Sequence, residues 1–77
     1  MDKKGLFSVR LQAALVDKYG RVPKPKQLNL DLLSRFGHME PVSDEAVRKW
    51  ITGKSIPNGT TLMCLSKLLG KDVSYWF

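Results

Sequence analysis

Glycine and proline recur along this chain and mark where its elements must end. Gly20, Pro23 and Pro25, Gly37 and Pro41, Gly53 and Pro57, and Gly70 leave only short stretches between them. Glycine supplies the left-handed residue that ends a helix, and proline cannot continue one. Between the breaks, apolar residues recur three and four positions apart: Phe7, Leu11, Ala14 and Leu15; Leu28, Leu32, Leu33 and Phe36; Val47, Trp50 and Ile51; Leu62, Leu65 and Leu69. That is the period of a helix with one buried face. No stretch alternates with the period of two that a half-buried strand needs, and no repeat or low-complexity segment is present. The expected fold is all-α, with four short helices and a final helical turn.

The first helix is expected from about Phe7 or Ser8 to Tyr19, stopped by Gly20. Arg21 to Pro25 form a basic, proline-punctuated link, and Pro25 suits the first position of the second helix, where a missing N–H costs nothing. This second helix runs to Phe36, with Gln27, Asn29, Asp31 and Arg35 outward and Gly37 ending it. Pro41 holds the following connector extended into Val42. The third helix, within Val42 to Gly53, is the most sharply bounded. Ser43 is its N-cap, Val42 and Val47 have the spacing of a hydrophobic staple, and Gly53 offers a left-handed exit. Its outer face carries Asp44, Glu45, Arg48, Lys49 and Thr52. So short a helix is not stable alone in water, so its neighbours must support it. Ile56 anchors the next loop, Asn58 caps a fourth helix reaching Leu69, and Asp72 caps the last turn.

A chain of 77 residues makes one domain, burying only about 60% of its unfolded surface. No apolar run approaches a membrane span of about 20 residues, and the start Met-Asp-Lys-Lys-Gly lacks the features of a secretory signal. Cys64, the one cysteine, has no internal disulfide partner, which points to the reducing cytoplasm; its place in a helical pattern reads as a small, partly buried thiol. Thirteen Lys and Arg against seven Asp and Glu give a net charge of +6, a bias toward polyanions. A membrane-surface role does not fit, because no long helix pairs a basic face with a broad apolar one. His38 reads first as an exposed loop residue, then as a phosphate contact, and last as a general base. No metal-ligand spacing, phosphate-cradling glycine loop or nucleophile elbow is present. The expectation is therefore no enzyme, no cofactor or metal, and no small-molecule site.

One combination is more specific. Leu32-Leu33-Ser34-Arg35-Phe36, Val42-Ser43, Ala46-Val47-Arg48-Lys49-Trp50, Gly53 and Ile56-Pro57 together resemble the phage Cro and lambda-repressor type of helix-turn-helix domain. Leu62, Leu65 and Leu69-Gly70, with an aromatic cluster near the end, continue the match, which covers about residues 7–77. Two departures stand out. Leu33 occupies a place where such motifs usually have a small residue, and the connector from Gly37 to Val42 is longer than the usual tight turn. The resemblance implies a compact bundle of four to five helices in which the helix-turn-helix has a lengthened connector.

It also implies a function: sequence-specific binding of double-stranded DNA by a bacterial or phage-type transcriptional regulator, with helix 44–52 in the major groove. Carried across by position, Ser43, Asp44, Glu45, Arg48, Lys49 and Thr52 are the base-reading candidates. Arg48 or Lys49 suits guanine O6 and N7, and Glu45 suits the cytosine amino group. For Asp44 and Glu45, stabilisation of the helix dipole is a competing role. Gln27, Lys54, Ser55 and Asn58 correspond to phosphate contacts, and Lys24 and Lys26 are basic and close by. Trp50, on the apolar face, belongs to the core rather than to base stacking. Members of this family dimerise on DNA, and the cluster Val73, Tyr75, Trp76 and Phe77 is either a dimer surface, a flap folded onto the core, or both. The alternative function is a protein-interaction module, an antitoxin or accessory phage protein, on the same scaffold.

Overall fold

Asp2 opens the first helix, whose first residue, Lys3, lies four positions before the apolar pattern begins. In the computed structural model, which describes residues 2–77, its carboxylate accepts from the Gly5 N–H at 2.7 Å and caps α1, Lys3–Tyr19. Lys3 to Leu6 show no apolar stripe, so periodicity alone misses this turn, and only the cap announces it. Gly20 ends α1 in the left-handed region, φ 77°, its N–H bonded to the Val16 carbonyl. α2 spans Pro25–Arg35 with Pro25 in the first turn and Phe36 as its C-cap. α3 is Asp44–Ile51, α4 is Gly59–Leu69, and Val73–Trp76 form a single 3₁₀ turn. Among the described residues there is no strand, and no helix is long and apolar enough to cross a membrane.

The helices share one core. Phe7, Leu11, Ala14 and Leu15 from α1, Leu28 and Leu32 from α2, Val47 and Trp50 from α3, and Leu62, Leu65, Leu68 and Leu69 from α4 are buried together. Cys64 is buried among them as a free thiol. The radius of gyration is 11.1 Å, close to the roughly 11.5 Å expected for a folded chain of this length. Met39 is also buried and pins the middle of the 36–43 connector, a core residue that no periodic pattern marks.

Two assignments on α2 are corrected. Asn29, expected outward, is 7% exposed, and Leu33, expected in the core, is partly exposed. Asn29 is drawn in because its amide has two acceptors waiting beneath: Nδ2 donates to the Val42 carbonyl at 2.9 Å and to Asp44 Oδ1 at 2.8 Å. A buried amide is tolerated when hydrogen-bonded, and here it ties α2 to the start of α3. Asn29 Oδ1 is buried without a partner among the described residues.

The C-terminal cluster folds back, and Trp76 is completely buried, in the core rather than at the surface of the chain. Its ring lies 5.4 Å from Phe7, and its Nε1 donates to Ser66 Oγ at 2.8 Å, which in turn donates to the Leu62 carbonyl. Tyr75 is half-buried; Arg10 lies over its ring and donates to its carbonyl at 3.0 Å. Val73 and Phe77 stay about half exposed, the Phe77 ring stacked against that of Phe7. Truncating Trp76 removes an aromatic plug and the indole N–H that donates to Ser66 Oγ beneath it. Trp76→Ala is expected to cost about 3–5 kcal/mol, close to the whole stability of a small domain, measured as a collapse of the urea unfolding midpoint.

Candidate nucleic-acid interface

α3 is built to present one face. Ser43 Oγ accepts from the Ala46 N–H at 3.0 Å, Val42 packs against the core beside buried Val47, and Asp44 and Glu45 occupy the first turn. At the far end Gly53 takes φ 80°. Its N–H bonds the Trp50 carbonyl and the Lys54 N–H bonds the Lys49 carbonyl at 2.9 Å, the paired closure of a Schellman motif. The carbonyl of Ile51 is gripped from α1: Ser8 Oγ donates to it at 2.5 Å and Gln12 Nε2 at 2.8 Å. Trp50 is 4% exposed and packs in the core, as its place on the apolar face requires.

All six base-reading candidates are exposed, but they are not equally free. Ser43 Oγ caps the helix, and Thr52 is the C-cap, one residue past the last helical position, with its hydroxyl on the Arg48 carbonyl at 2.9 Å. Asp44 is held by Asn29. Glu45 and Arg48 form a two-pronged ion pair on the open face of the helix. The hydrogen bond from Arg48 holds the Glu45 carboxyl below its usual range, and the same bond raises Arg48. Lys49 is left without a hydrogen-bonding or ion-pair partner for its ammonium among the described residues.

The flanking candidates fall into two groups, one at each end of α3. Lys24 and Lys26, at the start of α2, line a shallow cleft together with Pro25, Asp44, Glu45 and Arg48. Beside them, Gln27 Nε2 donates to Asp31 Oδ1 at 3.1 Å, and Asp31 also accepts from the Tyr19 hydroxyl, joining α2 to the end of α1. Lys54, Ser55 and Asn58 follow the C-terminal end of α3; Asn58 also caps α4, its side chain accepting from the Thr61 N–H at 2.9 Å. His38 is an exposed connector residue that lines a surface cavity together with Asn58.

The residues missed by sequence reading are the supports: Asn29, Ser8 and Gln12. Two of them carried a signal. Asn29 sits three and seven positions before Leu32 and Phe36, and Ser8 three and seven before Leu11 and Leu15, so each lies on an inward-facing stripe despite its polarity. Compared with protein-family models, curated proteins and solved structures, the chain matches none.

The lowered Glu45 carboxyl fixes a pH signature. A group whose pKa is depressed by folding contributes its stabilisation above its unfolded value and loses it as the pH falls through the folded one. The α3 ion pair is therefore expected to persist at neutral pH and to break only below the ordinary glutamate range. Carbonyl ¹³C titration of Glu45 checks this, with Arg48→Ala expected to bring the midpoint back up toward that of a free glutamate.

Proposed function

We propose that this chain is a sequence-specific double-stranded-DNA-binding protein of the bacterial or phage regulator type, built on a lambda-repressor-like helix-turn-helix. α2, the connector 36–43 and α3 form the motif, and α3 enters the major groove. One observation carries the reading: a short helix with an exposed polar face is flanked at both ends by lysines, Lys24 and Lys26 at one and Lys54 at the other. With its side chains an α-helix is about 10–12 Å across, a cross-section that a major groove about 12 Å wide admits. The net charge of +6 favours approach to any duplex. The resemblance to Cro and lambda repressor supports the same reading, with two copies binding neighbouring half-sites. In that pairing the exposed remainder of the C-terminal cluster, Val73 and Phe77, is the contact. The protein acts as a binding module in the cytoplasm, without catalysis.

In this reading the flanking cations position the protein and the α3 side chains select the sequence. Lys49→Ala is expected to cost about 1–3 kcal/mol on a preferred site and to relax selectivity at one base pair. Lys54→Ala is expected to weaken preferred and random duplexes alike and to lower the salt slope by about one ion. Fluorescence-anisotropy titrations across a salt series test both, and equal losses on both duplexes for both variants would contradict the division of roles. Absence of duplex binding at low salt would remove the DNA reading altogether.

A further inference from the structure

The Glu45–Arg48 pair matters for the edge of the guanidinium it uses. Arg48 Nε donates to Glu45 Oε2 at 3.0 Å and Nη2 donates to Oε1. A guanidinium holds five N–H groups in one plane. A carboxylate bound side-on takes the Nε hydrogen and one hydrogen of Nη2. The end-on edge remains, with one hydrogen on Nη1 and the second on Nη2 directed away from the side-chain stem. Nη1 has no partner among the described residues. Two parallel N–H groups match a pair of neighbouring acceptors, and in the major groove guanine offers such a pair in O6 and N7.

Glu45 also fixes where that edge points. A free arginine samples many rotamers and gives them up on binding. Here a carboxylate three residues earlier on the same helix already holds the guanidinium plane. Both side chains stand in the open, Arg48 46% and Glu45 57% exposed, beside the cleft that carries Lys24 and Lys26. An exposed ion pair of this kind adds little to folding stability, so removing it leaves the fold in place.

We propose that Arg48 is the guanine-reading residue of α3 and that Glu45 is its positioning residue, holding the guanidinium side-on so that its end-on edge meets O6 and N7. The proposal rests on the DNA-binding reading above and assigns roles that the family resemblance leaves open between Arg48 and Lys49. Lys49, a rotatable point charge without a planar fork, makes its contact at a different base pair. Glu45 has a second effect, because its negative charge opposes approach to phosphate on any sequence. Its loss therefore acts in opposite directions on specific and random DNA, a pattern that partial unfolding cannot imitate.

The test starts by selecting a preferred duplex from a random pool with the wild-type chain. Wild type, Glu45→Ala, Arg48→Ala, the double variant and Lys49→Ala are then titrated at one salt concentration against that duplex, its single-base-pair variants and a random duplex. Arg48→Ala is expected to lose about 5- to 150-fold discrimination at one G·C pair. Glu45→Ala is expected to lose a smaller share, roughly threefold to tenfold, at that same pair while binding random duplex more tightly. The double variant should be no worse there than Arg48→Ala alone, the non-additivity of residues acting as a unit. Losses at two separate base pairs that add in the double variant would overturn the proposal, since Glu45 would then read its own base. It is equally overturned if Glu45→Ala keeps full discrimination or if Arg48→Ala loses none. A wild-type chain that binds no duplex at low salt is a separate result, which removes the DNA reading and this proposal together.

Discussion

The fold depends on holding a helix that has no stability of its own. α3 has eight residues, below the length at which an isolated helix persists in water. Its start is tied to α2 through Asn29, which reaches both Val42 and Asp44. Its end is tied to α1 through Ser8 and Gln12, which share the Ile51 carbonyl. Val47 and Trp50 fasten the middle in the core. A terminal carbonyl that would otherwise face water thus becomes the anchoring point, and the orientation of the exposed face is set by three side chains that never leave the scaffold.

The C-terminal turn contributes in a different way. Trp76 closes the core from beneath, touching Phe7 of α1 and Ser66 of α4. Phe7 lies one position before Ser8, so the residue that Trp76 packs against belongs to the same turn that grips α3. Lys71 adds an outer tie between the chain end and α1, bonding Asp17 at 3.1 Å and lying over the Tyr75 ring. Packing at the far end of the molecule thereby helps to fix the presented helix.

Much of the architecture could be read from the residues. Left-handed Gly20, Gly53 and Gly70 end three helices where the spacing of glycines placed those ends, and Ser43, Asn58 and Asp72 are the caps that their side chains and positions announced. The identity of the exposed face of α3 followed from Val47, Trp50 and Ile51 alone. Polar residues on buried stripes were not legible, because polarity argues for solvent while spacing argues for the core. At Asn29 and Ser8 spacing wins, since each finds a backbone carbonyl to bond. The Glu45–Arg48 pair was hidden for another reason: adjacent acidic residues in a first turn are already explained by the dipole, and which edge of Arg48 is engaged is a matter of atoms rather than of sequence.

The separation between what holds α3 and what α3 displays has an evolutionary consequence. Its supports are Ser8, Gln12 and Asn29 on other helices and Val47 and Trp50 on its hidden side. Glu45, Arg48 and Lys49 bond to nothing outside their own helix through their side chains. These three positions can therefore be exchanged by drift or selection with little loss of stability, whereas Ser43, Asp44 and Thr52 are tethered to caps and neighbours. A lineage carrying this scaffold has three positions at which the chemistry of the displayed face can change in single steps.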